Sequence, residues 1–259
     1  MARANRGLRS GIILAGGRSS RIGEPKALLE LAGEPLLRHV ARALAPACDE
    51  LIIVTAPERA LARRLRDGLA LEVRWLARRW RTLHAGPRAA VLRPRVRLVH
   101  DGHAHLGPVS GLASGLAAAR GELAFVSACD VPFLATNLVE GLFARAGAGG
   151  QRYDVAVARW KGYLEPLATV YRTSTTAPHY ARQLAERELR PTARLDLLRV
   201  CVVEEAEIHG LDPGARSFVN LNVREDYAAA RALLEPPAKP ATGRGSRPAR
   251  SPRGSSADG

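Results

Sequence analysis

One stretch near the amino terminus constrains the fold of this chain more than any other. The run Ile12–Ala15 is short, apolar and rich in strand-forming residues, which is typical of a buried parallel strand. It ends at Gly16 and Gly17, where a backbone without Cβ atoms can turn sharply or approach a ligand closely. The cations Arg21 and Lys26 follow. We therefore predict a phosphate-binding loop that opens an α/β nucleotide-binding domain, because inward-pointing N–H groups and nearby cations stabilise a polyphosphate.

Strand-like and helix-like segments alternate along the rest of the chain. Buried strands are predicted at residues 51–55, 96–99, 122–127, 154–159, 164–171 and 200–204. Helices are predicted at 34–45, from Pro57, from Pro108, and at 134–146, 176–188, 191–198 and 223–234. This order of elements indicates a mostly parallel sheet. Asp130 directly follows one of the strands, at the edge where open α/β sheets bind ligands.

Length and composition indicate a globular protein. With 259 residues, 46% of them apolar, the chain can form one large or two small domains with a real core. No apolar stretch is long enough to predict a membrane span, and the first apolar segment is too short for a signal peptide. The cysteines Cys48, Cys129 and Cys201 are far apart and odd in number, so they predict neither a disulfide framework nor a zinc site. A cytoplasmic location is expected.

The net charge of +14 invites a nucleic-acid-binding interpretation, and the distribution of the charge argues against it. Residues 1–10 hold three arginines and no acid, residues 73–98 hold eight arginines and no acid, and residues 236–259 carry a net charge of +4. The remainder is close to neutral, so no basic groove is predicted within the fold. We expect residues 1–10 to be a disordered basic segment and residues 236–259, rich in Pro, Gly, Ser and Arg, to be a disordered tail.

Residues 72–97 interrupt the alternation of strands and helices. The segment contains eight arginines, two tryptophans and several Gly and Pro residues that break regular structure. Two interpretations are open at this stage. The segment is a surface insertion whose stems are covered by Trp75 and Trp80, or it is a basic flap that attracts an anionic substrate or a partner protein.

Five motifs occur in an order that resembles one family. They are Leu14-Ala-Gly-Gly-Arg-Ser-Ser-Arg-Ile-Gly-Glu-Pro-Lys26, Asp101 before Gly107-Pro-Val-Ser-Gly111, Cys129-Asp-Val-Pro132, Glu165-Pro-Leu-Ala-Thr-Val-Tyr171, and Phe218-Val-Asn-Leu-Asn222 followed by Glu225-Asp226. This set resembles the molybdenum cofactor guanylyltransferases, which are nucleotidyltransferases with a GT-A type fold. The resemblance covers residues 11–235, the predicted domain. It implies a Rossmann-like three-layer α/β sandwich with a mostly parallel sheet, of the nucleotide-diphospho-sugar transferase type.

The resemblance also implies roles for individual residues. It places a nucleotide against Leu14, Ala15, Gly16, Gly17, Lys26, Asp101 and Asp130. Among these, Asp130 is expected to ligate Mg²⁺, and Lys26, Arg21 and Asp130 are expected to act in catalysis. Asn220 and Asn222 are similar to residues near the pterin substrate. The resemblance thus implies that the loop contributes positive charge and that Asp130 acts with it by binding the metal ion.

The implied reaction is attack by a phosphate of molybdopterin, or of the molybdenum cofactor, on the α-phosphorus of GTP, with release of pyrophosphate. Because both substrates are anions, cations and a metal ion are the parts that such a site needs. Molybdoenzyme chaperones are further expected partners. Two alternatives keep the chemistry: a cytidylyltransferase on the same pterin, and a transferase on another phosphorylated acceptor. A non-catalytic scaffold and a nucleic-acid-binding protein are alternatives from other classes.

Several of these residues have a structural alternative. Asp130 is also a suitable helix N-cap, Asp101 a turn residue, and Asn220 and Asn222 suitable partners for backbone groups ahead of the last helix. Cys129 is expected to be a small buried residue without a catalytic role. One departure from the family's pattern falls in the first motif, where Pro25 stands directly before the lysine in place of an acid.

Overall fold

A seven-stranded sheet forms the centre of the computed structural model of this chain. The structure describes residues 7–16, 26–56, 63–83, 96–103, 106–147 and 152–234. The spatial order of the strands is β5 (Val96–His100), β4 (Glu50–Thr55), β1 (Arg9–Leu14), β6 (Leu123–Ala128), β8 (Tyr163–Arg172), β7 (Val155–Trp160) and β9 (Val200–Val203). Among these strands only β8 runs antiparallel to its neighbours, so the prediction of a mostly parallel sheet is confirmed.

Successive residues of the central strands enter two separate cores, because side chains along a strand alternate between its faces. One core contains Ile13, Ile53 and Phe125, and the other contains Ile12, Ile52 and Val126. The strands are buried on both faces, which explains their continuous apolar runs.

Helices cover both faces of the sheet and complete the predicted three-layer sandwich. The first core is covered by α1 (Leu36–Leu44), α2 (Arg63–Leu83), α4 (Thr136–Ala146) and α6 (Glu205–Leu211). The second core is covered by α3 (Gly107–Ala118) and α5 (Thr173–Ala185). The last helix, α7 (Arg224–Leu234), packs beside a small hairpin formed by β2 (Glu30–Leu31) and β3 (Glu34–Pro35). No helix in these described ranges is long and apolar enough to cross a membrane.

Two glycines bring α3 unusually close to the sheet, as their spacing of four predicts. A Cβ atom on Gly115 would lie 2.7 Å from Cγ2 of Ile12 and 3.1 Å from Cγ2 of Val54. A Cβ atom on Gly111 would lie 3.2 Å from the methyl groups of Leu14. The close packing fixes the N-terminal end of α3 beside the ends of the central strands.

The amino-terminal boundary differs from the predicted one. The segment expected to be disordered, residues 1–10, overlaps β1, which begins at Arg9. Arg9 is held there on three sides: its N–H donates to Asp49, its guanidinium donates to Glu140, and the same guanidinium lies over the ring of Phe143. Residues 1–6 and the tail from 235 onward lie outside the described residues.

The expectation that residues 72–97 form a surface insertion is wrong for its first half. Residues 72–83 continue α2, and Leu76 and Trp80 are buried against the core. The Trp80 indole donates to the carbonyl of Asp49, and Arg38 lies over the ring of Trp75. Residues 84–95 lie outside the described residues. The interpretation as a basic flap therefore stays a prediction, and it concerns only these residues.

Smaller differences concern the second half of the chain. The helix predicted at 191–198 is a set of turns with a short 3-10 helix at Leu195–Leu197, since Arg194 adopts a left-handed backbone conformation with φ of 59°. Helix α6 and the β2–β3 hairpin have no counterpart among the predicted elements. The remaining strands and helices occur where their patterns place them, with shifts of a few residues at the ends.

Candidate active site

The described part of the first predicted motif lies at the carboxyl edge of the sheet, where the order of strands reverses. From β1 the chain continues to β4 on one side and returns later to β6 on the other, which leaves a crevice at this edge. Leu14, Ala15 and Gly16 leave β1 there, and the Ala15 N–H donates to the carbonyl of Val54 at 2.7 Å. A Cβ on Gly16 would lie 3.2 Å from the backbone nitrogen of Ala56, so a side chain here would crowd the end of β4.

Lys26, Asp130 and Asn222 form one cluster at this edge. The Lys26 ammonium donates to Oδ2 of Asp130 at 2.8 Å and to Oδ1 of Asn222 at 2.6 Å. The side chains of Lys26 and Asp130 are each 15% exposed, so the ion pair is shielded and still reachable from solvent. The cluster joins three motifs that are remote in sequence, and it confirms that Lys26 and Asp130 are neighbours.

The backbone around Asp130 explains how the cluster is held. Asp130 follows β6, and its carbonyl accepts the N–H of Leu221 at 2.9 Å. Leu221 is buried, so the segment on either side of it is fixed against the end of β6. Asp130 does not cap α4, which begins at Thr136, so the alternative of a helix N-cap is wrong. Its carboxylate is directed instead to Lys26.

Asp226 positions Asn222 and is a residue that sequence reasoning missed. It is the third residue of α7, and its Oδ2 accepts the N–H groups of Asn222 at 2.6 Å and of Val223 at 2.9 Å. These two backbone hydrogen bonds, with a smaller contribution from the charge of Lys26, lower the pKa of Asp226 below its ordinary value. A carboxylate at the third helical position is a known capping signal, and it was present in the motif ending Glu225-Asp226.

The Asn222 side chain contacts Lys26, while Asp226 accepts the backbone N–H groups ahead of α7. The alternative that Asn222 only satisfies backbone groups is therefore wrong. Asn220 is exposed on the other side of Leu221. Its predicted role near a second substrate stays a prediction.

Asp101 lies further along the same edge, after β5. Its N–H donates to the carbonyl of Thr55, which places it beyond β4 from Lys26. Its Oδ1 accepts the N–H of His103 at 3.0 Å and hydrogen bonds from the hydroxyls of Ser110 and Ser114 on α3. These contacts confirm that Asp101 is a turn residue, and they show that it also anchors the loop to α3. Its contact with a nucleotide stays a prediction.

Gly17 and Arg21, both predicted to contact the phosphates, lie outside the described residues, as does the departure at Pro25. The described part of the loop begins again at Lys26, which opens a short 3-10 helix, Lys26–Leu28. Ala27 is fully buried in this helix and anchors it in the first core.

Two further side chains, Cys129 and Tyr227, lie near Asp130. Burial, with the Asp130 carboxylate beside it, raises the pKa of the Cys129 thiol to about 12, so this thiol is neutral at physiological pH. Burial also raises the pKa of Tyr227 to about 12, with smaller contributions from Cys129, Asp130 and Asp226. The Tyr227 hydroxyl is buried and has no hydrogen-bond partner among the described residues.

Asp130 is the one carboxylate of the Lys26–Asp130–Asn222 cluster. The described ranges contain no group of three or more His, Cys, Asp or Glu side chains that could hold a metal without a substrate. Mg²⁺ in nucleotide sites is usually bound by one or two carboxylates together with substrate phosphates and water. One accessible carboxylate, Asp130, at the crevice therefore fits a magnesium ion that arrives with a nucleotide.

Sequence comparison finds relatives over most of the chain. A sequence model of the MobA-like NTP transferase domain matches residues 11–200. A probable molybdenum cofactor guanylyltransferase from Methanosarcina acetivorans is 32% identical over 222 residues, which cover 84% of this chain and 88% of the relative. A probable molybdenum cofactor guanylyltransferase from Natronomonas pharaonis is also 32% identical, over 88% of this chain and 99% of the relative.

Structural comparison finds the same architecture in solved structures of other proteins. The molybdopterin-guanine dinucleotide biosynthesis protein A from Archaeoglobus fulgidus is 21% identical, with a TM-score of 0.64 over 87% of this chain and 98% of that chain. The 2-C-methyl-D-erythritol 4-phosphate cytidylyltransferase from Thermus thermophilus is 16% identical, with a TM-score of 0.51 over 86% of this chain and 97% of that chain. At these identities the likeness shows the fold.

Proposed function

The chain belongs to the MobA-like NTP transferase family, and from this membership and the geometry of the site we propose that it transfers GMP from GTP to molybdenum cofactor. The acceptor is the terminal phosphate of molybdopterin or of its molybdenum-loaded form. The products are the guanine dinucleotide form of the cofactor and pyrophosphate. The names of the relatives support this substrate pair, since they are molybdenum cofactor guanylyltransferases.

The observation that carries the proposal is the contact of Lys26 with both Asp130 and Asn222. An ammonium, a carboxylate and an amide from three remote segments meet at the crevice of an α/β sheet, where such folds bind nucleotides. A purely structural ion pair would not require this placement at the edge of the sheet. The site needs no covalent nucleophile, because phosphoryl-group chemistry depends on positioning and on stabilisation of charge.

Each residue of the cluster has a role that its chemistry supports. Lys26 would neutralise phosphate oxygens of the nucleotide, and Asn222 would orient the Lys26 ammonium or the acceptor. Gly16, at the end of β1, would let the backbone approach a phosphate closely because it has no Cβ. Asp130 would hold Mg²⁺, and the metal would supply further positive charge and align the attacking and leaving oxygens. Gly17 and Arg21 are proposed to complete the phosphate contacts.

A competition experiment tests the proposal. The protein is incubated with Mg²⁺, molybdopterin, and equal concentrations of GTP and CTP, and the product is identified by its mass. We expect the guanine dinucleotide as the main product, with one pyrophosphate released for each product formed. The cytosine dinucleotide as main product would change the assignment of the base, and no product with any nucleoside triphosphate would reject the proposed function.

Removal of magnesium is the matched control for the same reaction. We expect chelation with EDTA to stop pyrophosphate release and added Mg²⁺ to restore it, because only one carboxylate and the phosphates are proposed to hold the metal. Unchanged release in EDTA would reject the proposed metal dependence and leave the nucleotidyltransferase assignment intact. Transfer of the product to a molybdoenzyme chaperone would follow as a later step.

A further inference from the structure

The β7–β8 hairpin extends beyond the carboxyl edge of the sheet on the side of β6 away from the nucleotide loop. Its tip, Lys161-Gly162, has positive φ at both positions, 48° and 80°, which is typical of a tight two-residue hairpin turn. Between Val157 and Ala158 the pairing shifts from Thr169 to Glu165, so residues 166–168 of β8 form a bulge. Bulges redirect side chains near binding sites, and this one sets the direction of the hairpin tip.

Two residues of the hairpin, Tyr163 and Glu165, project from the same face as Trp160. Glu165 is directly opposite Ala158, and Tyr163 is directly opposite Trp160, so each pair projects from one face. Trp160 packs on the first core and stacks on Phe218, with ring centroids 5.1 Å apart and an interplanar angle of 12°. The stack joins the hairpin to the segment that continues to Asn222.

The hairpin begins beside the end of β6 that leads to Asp130, because Ser127 of β6 pairs with Ala168 of β8. Leu221 donates to the Asp130 carbonyl, and the five residues from Phe218 to Asn222 span at most about 14 Å when extended. β8 is separated from β1 by β6, so the hairpin lies on the side of the site opposite the glycine loop. A substrate with its phosphate at Asp130 and its ring at the hairpin would therefore approach from the acceptor side.

Tyr163 offers an exposed aromatic ring, and Glu165 offers a partly buried carboxylate. Tyr163 is 75% exposed, which leaves a large aromatic face open beside Trp160. Glu165 is half-buried, and burial raises its pKa above the ordinary value. No Lys or Arg of the described residues lies within salt-bridge distance of Glu165. A partly desolvated carboxylate without a cation gains from a ligand that brings a pair of N–H donors.

We propose that Glu165 and Tyr163 bind the pterin ring of the acceptor. The Glu165 carboxylate accepts hydrogen bonds from the parallel N–H donors of a 2-amino-4-oxopyrimidine edge, and the Tyr163 ring stacks on the bicyclic system. The inference rests on the proposed function for the identity of the acceptor. Guanine has the same donor edge, so the test must distinguish the pterin from the nucleotide base.

Fluorescence titration tests the assignment without catalysis. The probes are 6-hydroxymethylpterin and lumazine, in which an oxo group replaces the 2-amino donor, and the signal is the quenching of their own fluorescence on stacking. We expect the wild-type protein to bind the pterin at least about tenfold more tightly than lumazine, because hydrogen bonds to a charged group are the strong ones. Equal affinities for the two probes would overturn the role of Glu165.

Variants separate recognition from stacking. Glu165→Gln should weaken binding of the pterin at least about tenfold and reduce its preference over lumazine, whereas Tyr163→Leu should weaken both probes to a similar extent. Glu186→Gln at the end of α5, in an exposed ion pair on the opposite face of the sheet, should change neither affinity. Thermal unfolding of each variant checks that the fold is retained.

Pterin binding measured in the presence of saturating GTP shows whether the Glu165 carboxylate binds the pterin or the guanine base. We expect GTP to leave pterin binding unchanged and Glu165→Gln to raise KM for the acceptor and not for GTP. Displacement of the pterin by GTP, or a rise in KM for GTP alone, would assign Glu165 to the guanine base and overturn the inference. Pterin binding with the expected preference but no GMP transfer would reject the proposed function alone, and transfer with an unchanged acceptor KM in Glu165→Gln would reject this inference alone.

Discussion

At the scale of single residues, the Lys26–Asp130 pair explains how two opposite charges remain compensated in a cleft. Each side chain is mostly buried, and removal of one partner would leave the other charge without compensation. A nucleotide with Mg²⁺ would bring both missing charges at once, a negative one for Lys26 and a positive one for Asp130. The two residues are therefore expected to act as a unit, with Asn222 keeping the ammonium in place.

Cys129 provides a residue-scale prediction because it is adjacent to Asp130 and chemically inert. Its side chain is buried and its pKa is raised to about 12, so it is neither a thiolate nor accessible. Cys129→Ala should keep pyrophosphate release within a few-fold of the wild-type rate. In the native protein a thiol reagent should label Cys201 first, and Cys48 and Cys129 only after denaturation, as peptide mass analysis would show. Labelling of native Cys129 with loss of activity would contradict this account.

The proximity of Lys26 and Asp130 could be predicted from sequence, and the contacts around them could not. The carboxyl ends of neighbouring parallel strands meet at one edge, so residues that follow β1 and β6 are expected to approach each other. The role of Asp226 depends on where α7 begins, and the position of Glu165 opposite Ala158 depends on the bulge in β8. Neither boundary nor bulge has a strong signal in one sequence.

At the scale of elements, the start of α7 connects helix stability to the site. Asp226→Ala removes the acceptor of the Asn222 and Val223 N–H groups, so we expect a lower Tm and slower turnover, since Asn222 no longer holds Lys26 firmly. Because the pKa of Asp226 is lowered in the folded state, its stabilisation is present above about pH 4 and is lost as the pH falls further. The difference in Tm from wild type should therefore disappear in acid.

The neighbouring Glu225→Ala is the control for this measurement. Glu225 is exposed and is the second residue of the same helix. The two variants remove the same charge from the same helical turn. A decrease in Tm common to both would therefore come from the helix dipole alone. Equal effects of the two substitutions on Tm and turnover would contradict a specific role for Asp226.

The packing of α3 gives a second element-scale prediction. Gly115→Ala should lower the free energy of unfolding by about 1–3 kcal/mol, because the new methyl would lie 2.7 Å from Cγ2 of Ile12 in a buried strand. Gly210→Ala in α6 is the matched control, since a methyl group added there would meet nothing within 4 Å and alanine favours helix by up to about 1 kcal/mol. Urea unfolding measures both. Unchanged stability in Gly115→Ala would show that α3 can shift away from the sheet.

The Arg-rich helix shows why one element was misinterpreted. Leu69, Val73, Leu76 and Trp80 recur at helical spacing and face the first core. Arginine is a good helix former, so a high density of arginine on the outer face is compatible with α2. The arginine content makes residues 72–83 resemble an insertion. The helical spacing of their apolar residues is the signal that predicts the continuation of α2.

At the scale of the whole molecule, the sheet order places two groups of residues on opposite sides of β6 at one edge. On one side of β6 lie strands β1, β4 and β5, with Gly16 and Asp101 at their ends. On the other side lies the β7–β8 hairpin. Asp130 lies between them at the end of β6. This layout is suited to a reaction that joins two phosphorylated substrates, and it explains why the residues of the site come from all parts of the sequence.

The measurement that tests this layout most directly is a double-mutant comparison of pyrophosphate release from GTP, Mg²⁺ and molybdopterin. We predict that Lys26→Met and Asp130→Asn each lower the initial rate by about 10²–10³-fold, and that the double variant is no more than a few-fold slower than the slower single variant. Wild-type rates in Asp130→Asn, or losses that multiply in the double variant, would contradict the claim that the two residues form one catalytic unit.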